Sequence, residues 1–232
     1  MPTATLEEYL ETIYKLSEKG PVRPTPIAEA LGVSGPTVTA TLRRLESADY
    51  IERRDGDVIL TGGGRALALD IVRRHRISER FLVDVLGLSW SDAHEDACLL
   101  EHALSPRVLE ALEKYLDNPE VCPHGHPIPN AAGQVTAVEG SSLCEFGAGS
   151  DVRIVQVAED DDAMLTYLAS LGMFPGTQVR VCEVAPFNGP LLVDVEGSTY
   201  ALGREVADRI LVTAGKHGYG RRRRGGRLGR GK

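Results

Sequence analysis

His94, Cys98, Glu101 and His102 fall within one run, His-Glu-Asp-Ala-Cys-Leu-Leu-Glu-His, at spacings i, i+4, i+7 and i+8. On a helix of about 3.6 residues per turn, all four share one stripe. Imidazole, thiolate and carboxylate are costly to bury unless something pairs with them, and a divalent metal ion pairs with all three. Taken alone, the run is equally well explained as a solvated helix face carrying a core cysteine.

Two further groups could do related chemistry. His75 and Glu79 lie one turn apart in a helical pattern. Cys122-Pro-His124-Gly-His126-Pro is too rich in proline and glycine for a helix, and its Cys and His, two apart in a rigid turn, could ligate a metal or could simply shape the turn. No spare general base or nucleophile is grouped with these residues, which counts against a metallohydrolase.

The elements that must position these groups begin with an amphipathic helix over 5–19, whose apolar face is Leu6, Leu10, Ile13, Tyr14 and Leu16. Thr5 and Glu8 fit a capping box at its start. Residues 26–31 then form a short helix, Gly32-Val33-Ser34 a tight turn, and Pro36 opens a second helix through Leu45, which is a helix-turn-helix pattern. Small and hydroxylic residues at the start of the second helix (Ser34, Thr37, Thr39, Thr41) can reach base edges and phosphates, and Arg43 and Arg44 supply charge. Asp55-Gly56 between two β-prone runs predicts a hairpin, a wing that carries Arg53 and Arg54. A plain helical hairpin is the less favoured alternative, and the wing counts further against it.

Gly62 to Gly64 precede a long helix over 65–86 that carries His75 and Glu79; a second helix starts near Ser91, and a third follows Ser105-Pro106. These helices carry more apolar surface than one winged helix covers, so homodimerisation is expected, and it suits a twofold operator. Residues 130–150 read as a linker. Beyond Asp151, five short β-prone runs and one helical stretch near 163–171 read as a small barrel.

The net charge of −7 conceals an asymmetry: residues 1–215 hold 18 basic against 33 acidic side chains, while the tail after 215 holds eight basic residues and no acid. An acidic body argues against indiscriminate polyanion binding and suits a protein that holds cations or binds nucleic acid conditionally. The glycine-arginine tail is expected to be disordered. No apolar run is long enough to span a membrane and the first residues do not read as a signal peptide, so a cytoplasmic protein with reduced cysteines is expected.

These features together resemble the diphtheria toxin repressor family of metal-dependent transcriptional regulators. The resemblance rests on Glu8-Tyr-Leu-Glu-Thr-Ile-Tyr14, Ser34-Gly-Pro-Thr-Val38, Arg74-His-Arg-Ile-Ser-Glu-Arg80, the 94–102 run and His126-Pro-Ile-Pro129, in that order. Leu171-Gly-Met-Phe-Pro-Gly176 and Ala185 to Leu191 are similar to the family's SH3-like barrel and to small ferrous-transport accessory proteins. The resemblance implies a multi-domain, mainly α chain. Its parts are a winged helix-turn-helix over 1–64, a helical metal-binding and dimerisation domain over 65–129, a linker over 130–150, an SH3-like β-barrel over 151–213 and a basic tail over 214–232.

It also implies two metal sites per subunit. A primary site draws on Glu8, Cys98, Glu101 and His102, with Glu11 as an extra ligand. An ancillary site draws on His75, Glu79 and His94, with Asp161 as the barrel acid and the Cys122/His124 turn as further ligands. Iron-type members pair a first-helix methionine with the later cysteine, whereas manganese-type members pair two acids; this chain mixes Glu8 with Cys98. The Cys-Pro-His turn favours Mn²⁺, with Fe²⁺ as the alternative. The expected DNA-reading residues are Ser34, Pro36, Thr37, Thr39, Arg43, Arg44, Arg53 and Arg54, on a palindromic double-stranded operator. A metal-blind winged-helix regulator and a metallohydrolase are the rivals.

Overall fold

The computed structural model describes residues 3–159 and 161–215, so the basic tail from 216 onward lies outside the described residues. The chain divides into two compact units, one of residues up to 139 together with 156–175, the other of 140–155 together with residues from 176 on. Among the described residues no helix is long and apolar enough to cross a membrane.

In the first unit, α1 (Ala4–Ser17) buries Leu6, Tyr9, Leu10, Ile13 and Tyr14. The helix begins at Ala4 with Thr3 at its N-cap and no side-chain cap bond, so Thr5 and Glu8 fall inside it and form no capping box. Helices α2 (Pro24–Leu31) and α3 (Gly35–Ser47) form the helix-turn-helix; Ile27, Val38, Leu42 and Leu45 are buried in the same core as the inner face of α1. The Ser34 hydroxyl accepts the Thr37 amide, an N-cap typically worth about 1 kcal/mol. Strands β1 (Ile51–Arg54) and β2 (Asp57–Leu60) pair antiparallel, with Asp55 at φ 53° and Gly56 at φ 87° supplying the two left-handed positions of a tight hairpin. The Val58 amide donates to the Val22 carbonyl and joins the wing to the chain entering α2.

Helix α4 (Gly62–Asp84) starts three residues earlier than the sequence predicts, because Thr61 caps it by accepting the Gly64 amide. Helices α5 (Trp90–Leu100) and α6 (Pro106–Tyr115) are capped in the same way by Ser89 and Ser105. Val85, Leu86, Leu99, Leu100, Val108 and Tyr115 stand exposed on or just beyond these three helices. Helix α7 (Asp162–Ser170) packs against α5.

The second unit holds β3 (Ser141–Ser142), most of β4 (Asp151–Val157), β5 (Gln178–Val184), β6 (Leu191–Val195), β7 (Ser198–Leu202), the short helix α8 (Arg204–Asp208) and β8 (Ile210–Ala214), in the order β3-β8-β4-β5-β6-β7. Alternation along β6 buries Leu191, Val193 and Val195 against Ile154, Val181 and Val212 on one side of the sheet. The expected closed barrel is corrected: the sheet is open, since β7 leads into α8 rather than to another partner and β3 is only two residues long. The expected linker is also shortened, because β3 and a one-turn 3₁₀ helix at Leu143–Glu145 already belong to the sheet unit.

Candidate metal centre

Among the described residues of the first unit, ligand-type side chains gather in two regions, forming three groups of which two share His75, and α4 supplies His75 or Glu79 to each. One turn apart on its buried face, His75 and Glu79 are 1% and 0% exposed. Around Glu79 gather Cys122 and His124, delivered by a turn in which the Cys122 amide donates to the His126 carbonyl and the Gly125 amide to the Cys122 carbonyl. Glu159, just beyond β4, completes the group, and the ligand atoms of Glu79, Cys122, His124 and Glu159 all lie within 4.8 Å of one another. A single carboxylate oxygen, Glu79 Oε1, has His94 Nδ1 at 2.9 Å, His75 Nε2 at 3.0 Å and His124 Nδ1 at 3.5 Å.

The second cluster lies where α1 meets the end of α5. Helix α5 stops at Leu100, so Glu101 is its C-cap and His102 lies in the following turn; the single stripe expected over 94–102 is divided. His94 and Cys98 stay on the helix near His75, with Cys98 Sγ 4.0 Å from His75 Nδ1. Glu101 turns inward, its Oε2 2.7 Å from the same His75 nitrogen, and groups with Glu11 and His75. Glu8 is half exposed, and its carboxylate is 3.9 Å from His102 Nε2, while the neighbouring Glu7 accepts a 2.7 Å hydrogen bond from His102 Nδ1.

The electrostatics of both clusters follow from burial set against neighbouring charge. Burial alone would raise the Glu79 carboxyl, but His75, His94 and His124 outweigh it and hold it well below the usual range. His75 is pulled down by burial yet ends well above an ordinary imidazole, because of Glu79 and of hydrogen bonds to Cys98, Glu101 and Glu79. For Glu101 burial prevails over His75 and raises its carboxyl. Burial, with Glu79 and Glu159 beside it, pushes the Cys122 thiol far up, so the metal-free side chain is a thiol.

The donor set fits a divalent cation. Glu79 Oε2, His124 Nε2 and His102 Nε2 are buried atoms with no hydrogen-bond partner among the described residues, and such orphans normally cost about 1–3 kcal/mol each unless a ligand satisfies them. Imidazole, thiol and carboxylate together suit a first-row metal better than Mg²⁺ or Ca²⁺.

Of the expected ligands, Asp161 is placed elsewhere. Its side chain caps α7 by accepting the Met164 amide at 3.0 Å, and Glu159, two residues earlier, occupies the position in the cluster. Sequence reasoning also passed over Glu7, although its i, i+4 relation to Glu11 and its phase with the buried Leu10 and Tyr14 would have placed it inward. Ser34, Pro36, Thr37, Thr39, Arg43, Arg44, Arg53 and Arg54 are all exposed on α3, its cap and the wing. Arg53 is paired with Glu46 on α3, which leaves Arg43 and Arg44 as the more available cations.

Profiles of known families match along nearly the whole chain. The iron dependent repressor N-terminal DNA binding domain matches residues 1–55, the iron dependent repressor metal binding and dimerisation domain 61–130, and the FeoA domain 141–214. The iron-dependent repressor IdeR of Mycobacterium tuberculosis is 39% identical over 224 residues, covering 90% of this chain and 96% of the relative. The chain belongs to the iron-dependent repressor family. Another member, the diphtheria toxin repressor of Corynebacterium efficiens, is 34% identical over 225 residues, covering 89% and 97%. Among solved structures, a manganese-dependent transcriptional repressor in complex with manganese aligns with a TM-score of 0.83 at 34% identity, covering 90% of this chain and 99% of that one. ScaR with bound Cd²⁺ aligns with a TM-score of 0.77 at 31% identity, covering 92% and 100%. This family member is a metal-dependent transcriptional repressor and not an enzyme, with DNA-binding and dimerisation domains that indicate DNA and a second copy of the chain as its partners.

Proposed function

We propose that this repressor responds to Mn²⁺ held at two sites per subunit, and that metal occupancy controls its binding, as a homodimer in the cytoplasm, to a palindromic operator. The observation that carries this reading is the convergence of Glu79, Cys122, His124 and Glu159 in a wholly buried cluster with unsatisfied lone pairs. These four would hold one ion, with His75 and His94 alongside. Glu8, Glu11, Cys98, Glu101 and His102 would hold the other. Bound there, a divalent cation supplies the positive charge that two converging carboxylates and an ionising thiol need.

The rest of the mechanism belongs to the chain. Residues 1–64 read DNA and residues 65–129 dimerise, so a ligand set shared between α1 and the end of α5 fixes one placement of the reading head. In that placement α3 presents Ser34, Pro36, Thr37 and Thr39 to base edges while Arg43 and Arg44 contact phosphates. The acids on α1 and the Cys122/His124 turn support manganese. Iron is the alternative, supported by the Cys98 thiol 4.0 Å from His75. Operator-binding titrations with Mn²⁺, Fe²⁺ and a chelator test the reading: affinity that depends on Mn²⁺ at lower concentration than on Fe²⁺ is expected, and equal affinity after chelation sinks it.

A further inference from the structure

Neither expected ligand set includes Lys15, a residue of α1 whose ammonium lies between the two clusters. Its Nζ is 3.0 Å from Oε1 of Glu11, which groups with His75 and Glu101, and 3.7 Å from Oε1 of Glu159, which groups with Glu79, Cys122 and His124. Only a third of the Lys15 side chain is exposed, and both acids are buried. Arg76 meets the same Glu159 oxygen at 3.0 Å but sits on α4, among the ligands, whereas Lys15 reaches in from the DNA-binding domain. Lys15 therefore occupies the electrostatic role that a cation would take at either cluster. A fixed positive charge beside a ligand carboxylate opposes the entry of a second cation.

We propose that Lys15 is an internal competitor for metal: its ammonium neutralises Glu11 and Glu159 in the metal-free chain and so sets the metal concentration at which the repressor responds. This rests on the metal-dependent reading above and adds a residue that sets its threshold.

The full-length chain and its Lys15→Gln, Lys15→Met and Lys15→Arg variants are titrated with Mn²⁺, by competition against a chelating indicator and by Trp90 emission. Trp90 is the chain's one tryptophan, and its ring centroid lies 4.9 Å from that of His124. Removing one unit charge at this range should tighten Mn²⁺ binding by roughly tenfold or more in K15Q and K15M. K15R should stay near the wild type, and the Mn²⁺ concentration needed for half-maximal operator binding should fall by the same factor as the dissociation constant. The exposed Lys19, one turn further along, supplies the control: K19Q should leave binding unchanged.

Equal or weaker binding by K15Q overturns the proposal, as does equal tightening in K19Q. Circular dichroism checks the fold of each variant, so loss of one neutral variant leaves the other to decide. A wild-type chain that takes up no Mn²⁺ overturns the metal reading along with this one, whereas a wild type that binds while K15Q is unchanged overturns this one alone.

Discussion

The cluster around Glu79 and the cluster at the α1–α5 junction use the same residue types in opposite states of completion. Glu79, Cys122, His124 and Glu159 are all buried, delivered by α4, a hydrogen-bonded turn and the segment after β4, and their ligand atoms lie within 4.8 Å of one another. At the junction Glu11 and Glu101 are buried, but Cys98 and Glu8 are exposed and His102 is engaged with Glu7. The first is a closed site whose geometry is set by folding. The second draws on both α1 and α5, and in the proposed mechanism it is completed only when those two elements agree. Under the proposed reading this difference divides the labour, the buried cluster stabilising the unit and the open one switching it.

The largest expected effect breaks the closed site. His124→Ala should weaken Mn²⁺ binding there by about 100-fold and remove most of the metal-induced rise in Tm, which for the wild type reaches about 4 kcal/mol of stabilisation at a metal concentration 1,000 times Kd. Calorimetry with and without chelator measures both, and an undiminished rise in the variant contradicts the assignment. At the open site Glu8→Ala should abolish metal-dependent operator binding while stability changes by less than about 0.5 kcal/mol, as is usual for an exposed side chain, and sedimentation should still show a dimer. If Glu7→Ala has that effect and Glu8→Ala does not, the ligand assignment moves to Glu7.

A smaller effect concerns His75, which meets Glu79 of one cluster and Glu101 of the other. Its folded pKa lies well above the ordinary 6.5, so its contribution to metal-free stability is full below that value and is lost as pH rises through the folded value. The Tm of chelated protein should therefore fall from neutral towards alkaline pH, and His75→Gln should flatten that slope. The smallest difference is on the reading surface. Arg44→Ala should reduce the slope of log affinity against log salt by about one, and Arg53→Ala by less because Glu46 already neutralises it.

Much of this architecture was legible from local pattern. Asp55-Gly56 specified the wing, Ser34 and Ser105 marked helix starts, and the His75/Glu79 spacing put both on one buried face. Register failed where local rules compete. Asp161 and Glu159 are both acids near the start of α7, and only the cap to Met164 decides between them. The 94–102 run satisfied helical spacing throughout, yet the helix ends at Leu100, and Glu101 and His102 leave its axis. The position of Lys15 depends on a contact across 144 positions of sequence, which no spacing rule reaches.

Gly62-Gly63-Gly64 would pass for a swivel between the reading head and the helix behind it. The chain is instead clamped there: a Cβ on Gly64 would stand 1.9 Å from the Tyr50 carbonyl oxygen, and Thr61 both caps α4 and donates to the Asp49 carbonyl. Small size at Gly64 serves close approach rather than freedom of rotation. The Thr61 and Gly64 contacts thus fix the start of α4 to the chain entering the wing, and in the proposed mechanism a turn of α4 would carry the wing with it.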